Sequence, residues 1–394
     1  FEYCGYTVNY ISNFTDVDDK IIKAANEAGI STKELSDKFI TAFMEDTAQL
    51  GIKPATQNPR VINYMDEIIA FVSTLIDKGF AYVAEGDVYF RVAKSNNYAK
   101  LANKTLEDLE IGASGRTDAE TDRKENPLDF ALWKAAKEGE ISWESPWGPG
   151  RPGWHIECSV MATEILGDTI DIHGGGADLE FPHHTNEIAQ SEAKTGKTFA
   201  NYWMHNGFVN VDNEKMSKSL GNFVTVHDML KTVDGQVLRF FLATQQYRKP
   251  INFTEKAIHD AEVNLKYLKN THSLPLTEEV SQAELQTYLD AFQEAMDDDF
   301  NTANGVTVLF DMAKWINSGN YDQTVKAAFE KMLQVFGIVF EEEVLDEDIE
   351  KLIEERQTAR ANKDFATADR IRDELAAQGI KLLDTKDGVR WTRD

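Results

Sequence analysis

Apolar positions along the chain change period several times, and each change predicts an element. The segment Tyr6-Thr-Val-Asn-Tyr-Ile11 alternates and is rich in β-branched and aromatic residues, which predicts a strand. A loop with Asn13, Thr15 and Asp16 follows, and Asp18-Asp19 then places acid where the dipole of a starting helix favours it. Residues 33–51 and 58–79 carry apolar side chains at helical spacing, the second run stopping near Lys78-Gly79. Over residues 80–92 the period becomes that of strands, with Gly86-Asp87 as a hairpin turn. Residues 94–126 are polar with little periodicity and read as an insertion on the main domain.

A Trp- and Pro-rich stretch over 127–150 ends in Trp147-Gly-Pro-Gly-Arg-Pro-Gly153. Beyond it the spacing predicts a helix over 155–166, a short strand over 169–173, a glycine loop at 174–176 and a helix from about Pro182. That order belongs to an open α/β sheet, whose ligands sit beyond the carboxyl ends of strands. Residues 255–340 are mostly helical by period, with a break at 297–301. The segment 349–378 reads as one long polar amphipathic helix stopped by Gly379, and a strand pair turning at Asp387-Gly388 closes the chain. No internal repeat or low-complexity tract interrupts this series.

With 394 residues, 42% of them hydrophobic and 27% charged, two or three ordinary globular domains are expected. The longest apolar candidate, residues 68–76, is too short for the ~18 residues of a membrane span. Two cysteines, Cys4 and Cys158, make no disulfide framework, and the N-terminus has no signal-peptide pattern, so a cytoplasmic setting is expected. The start at Phe1 reads as a fragment or trimmed chain. Forty-one basic against 67 acidic residues give a net charge of −26, which argues against a chain-wide nucleic-acid footprint. Residues 277–350 carry 18 acidic and three basic residues, whereas 351–394 carry ten basic and nine acidic. A polyanion would avoid the first stretch and could meet the second.

Five of the eight histidines (His155, His173, His183, His184 and His205) fall between residues 155 and 205, together with Cys158. His183 and Glu187 are four apart on an expected helix, so they share a face and can hold one ion. Cys, His and Glu suit zinc, although Cys158 as a core thiol and His183 as a capped loop residue remain open on spacing alone. Lys215-Met-Ser-Lys-Ser219 follows an apolar strand over 208–211. Two lysines and two hydroxyls on a loop can follow a triphosphate as charge develops on its leaving group; the bland alternative is a solvated basic loop.

Four segments together, Asn13-Phe-Thr-Asp-Val-Asp-Asp-Lys20, Gly153-Trp-His-Ile-Glu-Cys-Ser159, Phe181-Pro-His-His-Thr-Asn-Glu187 and Lys215-Met-Ser-Lys-Ser219, resemble the cysteinyl-tRNA synthetases, a class I aminoacyl-tRNA synthetase family. The resemblance covers essentially the whole chain. It implies an α/β fold: a Rossmann-type parallel sheet catalytic domain with an insertion, followed by a mostly helical C-terminal region. The implied division is a Rossmann domain over 1–80 and 127–210, a connective insertion over 81–126, a linker with the lysine loop over 211–254, a helical bundle over 255–340 and an anticodon-binding domain over 341–394.

The activity it implies is ATP-dependent ligation of L-cysteine to cysteine tRNA through a cysteinyl-adenylate, with Mg2+ accompanying ATP, by an enzyme acting as a monomer. By the same resemblance Cys158, His183 and Glu187 are three of four ligands to one Zn2+, which selects the substrate thiol. Thr15, Trp154 and Asp178 line the amino-acid pocket, with Asp178 toward the ammonium; a loop cap, core packing and an N-cap are their structural alternatives. Lys218 is the implied ATP-binding and catalytic residue, supported by Lys215. Arg360, Phe365 and Asp369 fall on anticodon-reading positions, with Phe365 where the family usually has tryptophan.

Two family features do not occur in residues 1–394: the His-Ile-Gly-His type motif and the upstream Cys-Gly strand end that supplies the fourth ligand. Cys4-Gly5 is too close to Asn13 to replace the latter. Thr185 stands where the family commonly has an acidic residue. The first strand and helix of the Rossmann unit are accordingly expected to be missing, and the chain alone is expected to give no cysteine-dependent exchange of pyrophosphate into ATP. Two other readings compete: a cysteine ligase of low-molecular-weight thiol biosynthesis, which lacks an anticodon domain, and an inactive RNA-binding fragment.

Overall fold

The computed structural model describes residues 1–113, 123–341, 347–385 and 388–393. They form two compact units, Phe1–Val339 and Phe340–Asp394.

In the first unit, α1 (Asp19–Ala28) begins at Asp18, whose carboxylate accepts the Ile21 amide, so the acidic pair caps the helix as expected. A capping box between Ser31 and Glu34 starts α2 (Thr32–Gln49). Helix α3 (Met65–Asp77) is the apolar helix of the 58–79 stretch and buries Ile68, Phe71, Val72 and Leu75. The hairpin follows as β1 (Ala81–Ala84) and β2 (Asp87–Phe90), turning through Glu85 and Gly86, both at positive φ. After α4 (Leu106–Ala113) come β3 (Phe130–Ala135) and β4 (Gly150–Pro152). These four strands make one antiparallel sheet in the order β1-β2-β3-β4, so the expected insertion hairpin shares a sheet with strands from the Trp-rich stretch. The rest of the insertion, residues 114–122, lies outside the described residues.

Helix α5 (Trp154–Leu166) packs behind this sheet, with Ile156, Val160 and Met161 in the same core as Phe90, Leu132 and Trp133. Gly153 at its N-cap is set by close approach, because a Cβ there would lie 2.0 Å from the Ala131 carbonyl oxygen. Backbone cannot yield as a flexible side chain can, so Gly153→Ala is expected to cost about 1–3 kcal/mol of stability, the usual range for overpacking, read as a lower urea midpoint.

One parallel pair is β5 (Ile170–Gly176) with β6 (Ala200–Asn206), joined through α6 (Thr185–Thr195). Two sequence expectations change here. Residues 174–176 are strand rather than loop, pairing with residues 204–206. Their lack of side chains serves proximity: a Cβ on Gly175 would meet Leu179 at 2.8 Å and His184 at 3.0 Å. The expected strand at residues 6–11 is not formed. Only Ile11 and Phe14 make isolated parallel bridges, to Gln57 and Arg60, while Tyr6 and Tyr10 are 66% and 57% exposed. Alternation makes a segment competent for a sheet, but a ladder needs a partner strand.

Strand β7 (Val209–Val211) lies between β8 (Glu214–Lys215) and the parallel β9 (Ile251–Phe253), with α7 (Val226–Met229) and α8 (Gly235–Ala243) between the last two in sequence. The bundle is α9 (Glu255–His272), α10 (Gln282–Asp297), α11 (Thr302–Asn317) and α12 (Gln323–Val335), and the expected break falls between α10 and α11.

The second unit corrects the single long helix. It holds α13 (Glu347–Ala361) and α14 (Phe365–Ala377), separated by Lys363 at φ 61° and by Asp364, which caps α14 through the Thr367 amide. Folding back buries Ile349 against Ile371 and Leu375, which one straight helix cannot do. Strands β10 (Ile380–Thr385) and β11 (Gly388–Arg393) pair antiparallel; Asp387 of the expected turn lies outside the described residues. Among the described residues, no helix is long and apolar enough to cross a membrane.

Candidate metal and substrate site

Helices α5 and α6 and the turn before α6 bring Cys158, His183 and Glu187 together, each offering a ligand atom within 4.8 Å of the others. The i,i+4 spacing works as expected: His183 Nε2 lies 3.0 Å from Glu187 Oε1, and both residues are buried. Sulfur, nitrogen and oxygen donors converging in a buried place are the set that a zinc ion accepts, and the three fit it.

The histidines to which the sequence gave no role surround this group. His173, at the carboxyl-terminal half of β5, sets Nε2 3.1 Å from Glu187 Oε2. His155 Nδ1 lies 2.9 Å from His183 Nδ1, and His184 Nδ1 lies 2.7 Å from His205 Nε2. His155 donating to His183, with His183 Nε2–H donating to Glu187, satisfies this chain of rings. Gln190 ties the frame together by donating to the His155 carbonyl and to Ser159 Oγ.

Burial governs the electrostatics. It pushes His155 and His184 down to about 3. Burial also opposes charge on Glu187, but His173 and His183 outweigh it and hold the carboxyl below its ordinary range. For His173 burial is outweighed by Glu187, and its pKa rises. The Cys158 thiol is pushed up by burial and by the Glu187 and Glu157 carboxyls, against a hydrogen bond with Asn13.

The three expected pocket residues are placed differently from one another. Trp154, 46% exposed, sets its ring 4.3 Å from that of His183 at a tilt of 34°, a surface position rather than core packing. Asp178 is exposed just beyond the carboxyl end of β5, in the place where α/β sheets bind ligands. Thr15 lines a separate cavity of about 450 Å³ with Asn13, Asp16, Lys20 and Phe43. Asn13 is the link, since it also bonds Cys158.

In the lysine loop, Lys215 Nζ rests 4.4 Å from the centre of the Phe208 ring. Asn222 braces the loop by accepting from the Ser217 amide at 2.9 Å and donating to the Lys215 carbonyl at 3.3 Å. Lys218 begins a short 3-10 turn, and its side chain lies outside the described residues. Cys4 is exposed in a turn at residues 2–5.

Residues 1–263 match the family described as tRNA synthetases class I (C) catalytic domain, residues 291–341 the DALR domain, and residues 342–391 the cysteinyl-tRNA ligase anticodon binding domain. A cysteine–tRNA ligase of Streptococcus thermophilus (strain CNRZ 1066) is 96% identical over 394 residues, all of this chain and 88% of the relative. The chain belongs to the cysteinyl-tRNA synthetase family. Another cysteine–tRNA ligase, from Streptococcus agalactiae serotype III (strain NEM316), is 82% identical over the same span and also covered to 88%. In fold the synthetase resembles a Mycobacterium tuberculosis methionyl-tRNA synthetase in complex with methionyl-adenylate, at TM-score 0.60 and 15% identity over 85% of this chain and 82% of that one.

The α/β architecture with a helical C-terminal region is thus that of a class I synthetase, and the family is one of ligases that charge tRNA. In the synthetase's second unit, Phe365 is 62% exposed at the start of α14. Arg360 is ion-paired with Asp384, which also holds Arg356 through two bonds of 2.9 Å. Asp369 pairs with Arg372 at 3.1 Å.

Proposed function

We propose that this synthetase activates L-cysteine with ATP as a cysteinyl-adenylate and passes the acyl group to cysteine tRNA. The observation that carries the reading is the convergence of Cys158, His183 and Glu187, because cysteine and serine differ by one atom. An apolar pocket gains only about 1–3 kcal/mol from so small a difference. A zinc ion held by these three residues would favour a thiolate over a neutral hydroxyl.

The chain's own residues do the rest. His173 and His155 orient the carboxylate and the imidazole, as outer partners of metal ligands do. Trp154 walls one side of His183, and Asp178 offers a carboxylate to the substrate ammonium. Lys215 and Lys218 supply positive charge to the triphosphate, which enters with Mg2+. In the second unit, Phe365 offers a ring for base stacking, and Arg360 and Asp369 offer a donor and an acceptor to base edges. The anticodon-domain match supports tRNA charging over a cysteine ligase acting on a small molecule.

The test is exchange of pyrophosphate into ATP with cysteine or serine. It is run on the chain and on a fusion that supplies the family's His-Ile-Gly-His segment ahead of Phe1. Exchange driven equally by serine would defeat thiol selection. For the tail, Arg360→Ala is expected to raise the tRNA concentration needed for half-maximal charging about tenfold, within the ~1–3 kcal/mol of one base contact. Cysteine activation should stay unchanged. Unaltered charging would leave Arg360 as the partner of Asp384 alone.

A further inference from the structure

The turn between α10 and α11 holds two consecutive non-glycine residues, Asp299 and Phe300, in the left-handed region at φ 53° each. Such strain persists only where neighbouring contacts over-determine it, and those contacts point to what it serves. The Phe300 ring packs against Phe1 at 5.4 Å, while the side chains of Asp299 and Thr302 both reach one segment. The Asp299 carboxylate accepts from Tyr247 Oη at 2.8 Å, from Arg248 Nε at 2.5 Å and from Arg248 Nη2 at 3.3 Å. Thr302 Oγ1 donates to the Gln245 carbonyl at 2.7 Å.

Residues 245–248 lie directly before β9, and they in turn hold the root of the lysine loop. The Gly207 amide donates to the Tyr247 carbonyl at 2.8 Å, and the Ile251 amide donates to the Phe208 carbonyl at 2.9 Å. A Cβ on Gly207 would lie 2.5 Å from the Lys249 carbonyl carbon, so the two backbones meet with no room for a side chain. Phe208 leads into β7, β7 pairs with β8, and Lys215 of β8 rests over the Phe208 ring. The strained turn is therefore three steps from the lysines: Asp299 to Tyr247, the Tyr247 carbonyl to Gly207, and Gly207 through Phe208 to the loop.

We propose that Asp299 is a positioning residue of the lysine loop, clamping the strand root from which Lys215 and Lys218 reach the triphosphate. The proposal rests on the assignment of that loop to ATP. Asp299 and Arg248 are 43% and 57% exposed, and exposed ion pairs contribute little to stability. A large kinetic effect at Asp299 would thus report positioning rather than loss of fold.

Two variants separate clamp from strain. Asp299→Gly accepts the positive φ and removes the carboxylate, while Asp299→Asn tolerates the φ and keeps an acceptor for Tyr247. The first readout needs no activity: tryptic cleavage after Lys215, followed by mass spectrometry with and without ATP. Asp299→Gly should be cut faster there and lose part of the protection by ATP, with Asp299→Asn between it and the parent. The second is pyrophosphate exchange by the His-Ile-Gly-His fusion. Displacements of about an ångström cost up to ~100-fold, so Asp299→Gly should lower kcat by roughly tenfold with the KM for cysteine unchanged.

Placed on Lys218→Ala, the glycine substitution should add almost nothing, since both act through one loop. Equal losses in both backgrounds, or cleavage and kcat like the parent's, would overturn the clamp. A silent Lys218→Ala would defeat the ATP assignment alone, and the cleavage rate would still decide the clamp.

Discussion

Glu187→Gln is expected to lower zinc affinity by more than about 100-fold, since even outer partners of a metal site are worth 10–100-fold. The substitution keeps the shape of the side chain and removes its charge. Glu187 is buried, and its carboxyl stays ionised because His173 and His183 stand 3.1 and 3.0 Å away. Metal content after dialysis checks this directly, and zinc retained at the parent's level against a chelator would refute the three-donor site. Cys158→Ala should weaken the site likewise, whereas a thiol that only fills the core would cost about 1 kcal/mol and leave metal untouched.

The metal-free protein gives a second measurement with a definite sign. Glu187 has a folded pKa below its ordinary value, so its contribution is present above the unfolded value near ~4.3 and lost as pH falls. His173 has a folded pKa above its ordinary value, so its contribution is present below ~6.5 and lost as pH rises. These are two ends of one interaction. The stability gap between the parent and Glu187→Gln should therefore be widest between about pH 4.5 and 6.5, at roughly 1.5–3 kcal/mol, and should narrow on both sides. A gap that is flat with pH would mean that the pair does not exchange charge on folding.

What the sequence made legible was local. The pairing of His183 with Glu187 follows from helical spacing alone, and Asp18 caps α1 because acid before an apolar period does so in any context. The family's motifs located Cys158, which no spacing rule would have joined to residues 25 and 29 positions later. His173 escaped assignment because it reaches Glu187 from a parallel strand, a relation that exists only once β5 and α6 pack. The same limit explains the tail. A continuous polar period over 349–378 is compatible with one helix or two, and the choice was made by Ile349 and Ile371 needing a common core. At residues 6–11 the pattern was right for a strand and the ladder was not there, because pairing belongs to two segments and alternation to one.

Lys218→Ala should leave the KM for cysteine near its parent value while lowering the rate of pyrophosphate exchange by about 10²–10³, the loss seen when one preorganised partner of developing charge is removed. The separation follows from where charge appears. The bond to the leaving pyrophosphate breaks in the transition state, so a cation serving it contributes to kcat and little to binding of the amino acid. Lys215 should behave more mildly. Its ammonium already has a partner in the Phe208 ring at 4.4 Å, and an exposed contact of this kind is worth only about 0.5–1 kcal/mol. Leaving the ring offsets that much of whatever Lys215 gains at the phosphate, while the backbone around it stays braced by Asn222. The His-Ile-Gly-His fusion provides the parent rate against which both variants are read. An equal loss of cysteine affinity in Lys218→Ala would assign the lysine to the architecture of the loop, and the triphosphate would then need its positive charge from another part of the chain.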